Sequence, residues 1–295
     1  MSKRMGKDMG GALPPGLERS CGPSPGDWIQ AAPSAPGIHR IEAAFAGHAY
    51  DPHRHDTYAI GITLGGVQTF DYRGARADSL PGNVLVLHPD ERHNGRAGAD
   101  SGFRYRMLYI EPHLIRDALG GGTLPFMRTA VSADPRLVRA LRPALEEWSR
   151  NWGALETDQV VLALAEALGA LDARSRPAPA PRACLAAVEK ARQCLRENLE
   201  RGVTSEELES VTGVDRYTLA RQFRAQLGTS PYRYLTMRRL ERAADRIAQG
   251  STLAEAAAAS GFADQSHMTR QFGRTYGMPP GRWRRLRAGD RSQSG

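Results

Sequence analysis

Two stretches of the chain are copies of one another: GVDRYTLARQFRAQLGTSP, from Gly213 to Pro231, and GFADQSHMTRQFGRTYGMPP, from Gly261 to Pro280. The RQF triplet recurs at Arg221 to Phe223 and at Arg270 to Phe272, and a Gly-x-x-Pro recurs at Gly228/Pro231 and Gly277/Pro280, all at an offset of 49 residues. The opening glycines are 48 apart, so the second copy carries one extra residue in its turn. In the first copy Asp215 is a good N-cap, and Leu219, Phe223 and Leu227 recur every four residues as an inward stripe. Arg216, Tyr217, Ala220, Arg221 and Arg224 then face outward. In the second copy Met268, Phe272 and Tyr276 point inward, while Gln265, Ser266, Thr269 and Arg270 point outward, with His267 on the flank.

A short helix precedes each of these. SEELESV, with Ser205 as its expected N-cap, ends at Gly213, and Leu253 to Ser260 ends at Gly261-Phe262; both turns need backbone freedom that glycine supplies. Helix, tight turn and second helix with a basic, aromatic outer face form the unit that a DNA major groove accepts. Between the copies Ser230 to Gln249 reads as one helix of about 30 Å, close to the ~34 Å between successive major-groove faces. Thr218 completes the candidate DNA contacts Arg216, Tyr217, Arg221, Arg224, Gln265, Ser266, His267, Thr269 and Arg270.

The charge is distributed to match. The chain of 295 residues carries a formal net charge of +8. From Gly213 to Arg287 arginines outnumber the five acids Asp215, Glu241, Asp245, Glu255 and Asp264 nearly three to one, so this segment holds the whole surplus. A basic excess confined to one domain suits a polyanionic partner. No run of apolar residues is long enough to span a membrane, and the N-terminus lacks the apolar core of a secretory signal. A cytoplasmic protein without a membrane partner is expected. Cys21, Cys184 and Cys194 are far apart and form no CxxC pair, which argues against a zinc site or a disulfide framework.

The first half reads differently. Residues 1–37 are rich in Gly, Pro and Ser and are expected to be a disordered arm. SRPAPAPR, from Ser175 to Arg182, predicts a stiff spacer, and residues 289–295 a disordered tail. Between them Ile60, Ile62 and Leu64 alternate, Gly65-Gly66 supplies a tight turn, and VQTFDYRG returns from Val67 as a hairpin partner. SLPGNVLVL and GFRYRMLYI add strands, so residues from Ile38 predict a small barrel or sandwich. From Asp134 to about Ala173 the period becomes helical, with Leu137, Leu141, Leu145 and Trp148 and then Val160, Leu164, Ala167, Leu168 and Leu171 marking two helices.

The segment from Gly202 to Leu286 resembles the C-terminal domain of AraC/XylS-family transcriptional regulators, through GFADQSHMTRQFGRTYGMPPGRWR with Gly261-Phe262, Phe272, Gly277, Pro280 and Trp283-Arg284. The resemblance implies base reading by Arg216, Tyr217 and Arg221 in the first unit and by Gln265, Ser266, His267 and Arg270 in the second. Ala256 departs from the larger aliphatic residue usual in the family, and Gly273 from a basic one. HRHDTYAIGITLGG from His53 and PGNVLVLHPDERHNG from Pro81 resemble the family's cupin-like sensor domain. The implied architecture is α+β: a cupin-like β-barrel with two helices over residues 38–174, then an all-α tandem helix-turn-helix domain over 183–288.

That likeness implies a sequence-specific transcriptional regulator, more often an activator. It would bind double-stranded DNA as a homodimer, respond to a small effector, and meet RNA polymerase if it activates. Candidate effector contacts are His53, His55, Tyr58, His88, Glu91 and His93. His53, His55 and His93 also sit where metal-binding cupins carry ligands, but Ala59 and Ile60 stand in the places of the usual acidic ligand. Three readings of these histidines stay open: an effector pocket, a metal site and a structural cluster. No cofactor, metal or catalytic residue is assigned, and a metal-dependent cupin enzyme or metal sensor fused to a DNA-binding module is the alternative.

Overall fold

The computed structural model describes residues 26–121, 123–146, 148–173 and 182–288. Ten strands precede Pro135 among them: β1 (Trp28–Ala35), β2 (Ile38–Phe45), β3 (His48–His53), β4 (Tyr58–Gly66), β5 (Gln68–Tyr72), β6 (Ala75–Ser79), β7 (Val84–Leu87), β8 (His93–Ala97), β9 (Phe103–Ile110) and β10 (Val131–Ser132). They form two sheets, one in the order β1-β2-β9-β4-β7-β10 and the other β3-β8-β5-β6. Every pairing is antiparallel.

The larger sheet is buried on both faces, which explains the uninterrupted VLVL of β7. Leu85 and Leu87 join Phe45, Phe103, Tyr105 and Met107 in the core between the sheets. Val84 and Val86, with Tyr58, Ile60, Leu108 and Ile110, face the helices α1 (Pro112–Ala118), α2 (Pro135–Glu146) and α3 (Ala154–Ala170). Leu137, Leu141, Val160, Leu164 and Leu168 supply the helical side of that layer. The two helices expected after Asp134 are therefore present, and α1 joins them.

Two expectations need correction. Gly65-Gly66 does not close a hairpin: β4 pairs with β7 and β9, while β5 pairs with β6 and β8 in the other sheet. The chain crosses between sheets there, with Gly66 at φ +67° and so near β9 that a Cβ would run into the Gly102 carbonyl oxygen. Residues 28–35, expected within the disordered arm, also form a strand. Trp28–Ala35 pairs along β2, turning Ile29 and Ala32 inward. Pro33 hid this strand from a composition reading, yet a missing N–H is tolerated on an edge strand or at a bulge, and the register shifts between Ala32 and Ala35. Residues 1–25, the spacer residues 175–181 and the tail 289–295 lie outside the described residues.

Helices fill the rest: α4 (Arg182–Glu197), α5 (Ser205–Thr212), α6 (Arg216–Leu227), α7 (Pro231–Ala248), α8 (Leu253–Ala259), α9 (Gln265–Tyr276) and α10 (Pro280–Ala288). The N-cap of α5 is Thr204 rather than Ser205, because Thr204 and Glu207 form a reciprocal capping box. Asp215 caps α6 and Asp264 caps α9, each through its carboxylate. Val188, Leu195, Leu208, Leu219 and Phe223 form the first unit's core. Ile247, Ala256, Met268 and Phe272 form the second, so the small Ala256 sits fully buried in it. Helix α7 serves both, giving Tyr234 and Leu235 to one and Met237 and Leu240 to the other. The two halves of the molecule also share a core, since Met278 and Leu286 pack with Ile29 and Phe45 between the sheets.

The crossing at Gly66 can be tested against Gly74, which has a similar φ of +79° but nothing near its absent Cβ. Gly74→Ala should cost only the left-handed backbone penalty of about 1–2 kcal/mol, whereas Gly66→Ala adds the clash and should exceed about 3 kcal/mol. Urea melts of the two variants make the comparison. Equal losses would show that the crossing relaxes freely.

Candidate DNA interface and ligand cavity

Helices α6 and α9 both present their first turns to solvent. Tyr217 is 72% exposed, and Arg216, Arg221, Gln265, Ser266 and Arg270 are exposed beside it, with Thr218, His267 and Thr269 half-buried. Glu206 and Glu209 each hold the Arg216 guanidinium at 3.0 Å, and Arg221 donates to the Thr218 hydroxyl at 2.8 Å. N-terminal residues of a recognition helix are those that meet base edges. The tenth candidate, Arg224, lies at the other end of α6 and pairs with Asp90 of the β domain at 3.3 Å.

The opposite ends of both helices abut the β domain. Gly228 and Gly277 end α6 and α9 in the left-handed conformation, at φ +74° and +66°. A side chain at Gly228 would press on Pro89, and one at Gly277 would come within 2.8 Å of His53 Nδ1. The Asp51 N–H donates to the Gly277 carbonyl at 2.8 Å and the Arg54 N–H to the Arg274 carbonyl at 3.1 Å. These satisfy α9 carbonyls that have no partner within the helix.

Beneath this seam lies a buried ion cluster. Arg238 of α7, 5% exposed, reaches Asp56 at 2.9 Å, Glu111 at 3.0 Å and Glu241 at 2.9 Å. Burial alone would raise Glu111, but hydrogen bonding from His113 and the charges of Arg238 and Arg196 hold it down at about 2. Burial wins at Asp56, whose carboxyl is raised despite Arg238. It wins at Glu241 too, which is pushed up to about 7.

Of the six candidate effector residues, the structure gathers three. His93 lies opposite His53 across the β3–β8 pairing, with ring centroids 4.2 Å apart, and His55 is 4.9 Å from His93. Each Nδ1 bonds a main-chain carbonyl: Asp51 at 2.8 Å, Thr57 at 3.0 Å and Glu91 at 3.0 Å. That fixes the proton on Nδ1 and leaves each Nε2 as an acceptor. Burial first, and then neighbouring histidine charge, pulls His53 and His55 well down, while burial takes His93 to about 4. Among the described residues no group of three or more His, Cys, Asp or Glu is spaced to hold a metal ion. Tyr58, His88 and Glu91 lie apart from the trio. Tyr58 donates to the Pro125 carbonyl at 2.7 Å, His88 Nε2 accepts from the Met127 N–H at 3.0 Å, and Glu91 pairs with Arg73 at 3.1 Å.

A cavity of about 490 Å³ opens between the β domain and the helices, within the range of small-molecule sites. His53 and His55 line it, together with His39, Tyr50 and Tyr109 from the strands and Glu241, Tyr276 and Trp283 from α7, α9 and α10. His53 and His55 were expected at an effector pocket and Tyr276 was expected to point inward; the other wall residues come from strands and helices far apart in the sequence.

Family models match both halves: an AraC-like ligand binding domain over residues 35–178 and a helix-turn-helix domain over residues 208–286. The chain is 27% identical over 244 residues to an uncharacterized HTH-type transcriptional regulator, YbfI, of Bacillus subtilis, covering 79% of this chain and 87% of that one. A putative AraC-like transcription regulator of Streptomyces lividans is 39% identical over 93 residues, 31% of each chain. Structures of ToxT from Vibrio cholerae share the fold at 13% identity and a TM-score of 0.59, covering 89% of this chain and 100% of that chain. One of them, at 12% identity and a TM-score of 0.60, holds an unsaturated fatty acid and covers 89% of this chain and 95% of that one.

The exposed first turns predict how affinity divides. Arg221→Ala and Arg270→Ala should each cost about 1–3 kcal/mol on the cognate site and far less on scrambled DNA at the same salt. Titrations by fluorescence anisotropy on both duplexes decide this. Equal losses on both would make these arginines phosphate contacts.

Proposed function

The chain belongs to the AraC family of transcriptional regulators, with a ligand-binding domain joined to a helix-turn-helix DNA-binding domain, and from that premise we propose that its effector occupies the cavity between the two. The observation that carries this reading is the shared wall: strands of the β domain supply one side and α7, α9 and α10 the other. A ligand there touches both domains at once. Whatever binds one docked arrangement better than another shifts the balance between them by its differential affinity. Since α6 and α9 are held by their C-terminal ends at this seam, the shift is felt at the two DNA-reading helices.

The rest of the reading follows the family. The protein acts without catalysis, in the cytoplasm, as a homodimer on double-stranded DNA, and as an activator would meet RNA polymerase. Leu155 and Leu162, 84% and 44% exposed on α3, support pairing through that helix. Among the described residues no helix is long and apolar enough to cross a membrane.

Ala31 offers the cleanest test. It lines the cavity from the edge strand β1 with its side chain exposed, so Ala31→Trp fills space without disturbing a core. Full-length protein and this variant would be screened against one metabolite library by thermal shift. Compounds that raise the melting temperature of the parent chain should lose that effect in Ala31→Trp, whose own melting temperature and DNA affinity stay near the parent's. Shifts that persist in the variant would place the effector elsewhere.

A further inference from the structure

The charge around the cavity is unbalanced. Three carboxylates line it, Asp56, Glu241 and Asp245. Asp56 and Glu241 share one guanidinium, Arg238, which also contacts Glu111, a residue with Arg192 and Arg196 as further partners. The lining cations do not restore neutrality. Arg40 turns its guanidinium away, donating to the carbonyls of Pro33, Trp148 and Arg150 and lying 4.0 Å over the Trp152 ring. Arg287 sits 4.9 Å over Trp283 and feels the charge of Asp245, and desolvation with the nearby Arg238 charge lowers the pKa of His39 although that residue is exposed. The carboxylates of Asp56 and Glu241 therefore share the single guanidinium of Arg238.

Two further observations point to what is missing. His55, 9% exposed, lines the cavity, and its Nε2 has no hydrogen-bond partner although it is buried. With the Nδ1 proton committed to the Thr57 carbonyl, that atom can only accept. It calls for an N–H or O–H donor. The walls are also aromatic: Tyr50, Tyr109 and Tyr276 surround the same space, and ring faces attract cations.

We propose that the effector is an organic cation, a primary or secondary amine on an apolar body, held by Asp56 and Glu241 and walled by Tyr50, Tyr109 and Tyr276. The inference rests on the cavity being the effector site and adds its ligand class. A buried ammonium needs carboxylate partners and acceptors for its N–H groups. A buried carboxylate ligand would face like charge on two sides. The neutral imidazole of His55 takes one amine hydrogen, and the carboxylates take the others.

A pH dependence follows. Glu241 is faced by Arg238 on its own helix, Asp56 after β3, Glu111 at the end of β9, Arg196 of α4 and Tyr276 of α9. With its carboxyl raised to about 7, Glu241 is mostly protonated in the empty protein under mildly acidic conditions. An amine must displace that proton, so its affinity rises with pH up to about neutrality and then levels off. The amine itself, with a pKa near 10, stays charged throughout.

Calorimetric titration of the full-length chain with three matched probes tests this: 4-phenylbutylamine, 4-phenylbutyrate and 4-phenylbutanol. At about pH 8 the amine should bind at least about tenfold more tightly than either of the others, and that lead should shrink by roughly tenfold at about pH 6. Glu241→Gln should bring the amine to within about threefold of the alcohol and remove the pH dependence. Asp245→Asn, an exposed change that leaves the buried cluster intact, should weaken the amine and not the alcohol. Butyrate binding as well as the amine overturns the cation assignment. If Ala31→Trp then abolishes butyrate binding, the cavity remains the effector site and only the ligand class fails. Amine binding that survives Ala31→Trp, or no binding by any probe, overturns both.

Discussion

One guanidinium sets the geometry of this molecule. Arg238 carries the charge that lets the buried Asp56 and Glu111 of the β domain and the partly exposed Glu241 of its own helix lie together. Burying such a cluster is seldom a net gain over an apolar core, but removing one member leaves uncompensated charge at a cost of about 3–5 kcal/mol. The consequence here is directional. Apolar surfaces slide past one another at small cost, whereas one Arg238 nitrogen donating to both Asp56 oxygens, at 2.9 and 3.2 Å, fixes how α7 lies on the barrel. Helix α7 belongs to the cores of both helix-turn-helix units, so fixing it fixes them.

The tandem repeat was legible because its signals are local. Caps, turn glycines and a four-residue apolar spacing lie within twenty residues of each other, and Asp215, Leu219, Phe223, Met268 and Phe272 take the places that pattern implied. The strands were half legible. Those with alternation or an apolar run, β4, β7 and β9, could be read. The edge strand β1 was masked by Pro33, and β3 and β8 by their histidines and glycine. The chain crossing at Gly66 was invisible because a glycine pair announces a turn without saying which sheet receives the next strand.

Beyond His53 and His55, the cavity was illegible for a different reason. Ile29 and Arg287, at opposite ends of the chain, both line it, and no local pattern links such positions. The basic surplus alone does not distinguish inward from outward side chains, and Arg238 is one of its arginines. Its position one turn beyond Tyr234, on the buried side of α7, was the available sign that it points inward. Conversely, Tyr58, His88 and Glu91 looked like pocket residues because polar side chains cluster in their segment. The structure spends Tyr58 and His88 instead on the loop from Pro125 to Met127, where a strand-free segment needs partners for its main-chain groups, and Glu91 on Arg73, which donates to the Met127 carbonyl.

The contact between β3 and the end of α9 has a further implication. Asp51 and Arg54 reach the Gly277 and Arg274 carbonyls through their main-chain N–H groups alone. Such a contact is indifferent to the side chains at 51 and 54, provided neither becomes proline, which lacks the donor. What it cannot tolerate is bulk at 277, where the approach to His53 leaves room for hydrogen only. Inheritance of the docking register is thereby separated from inheritance of the side chains that line the cavity, which descendants of this chain can exchange while the backbone seam passes on unchanged.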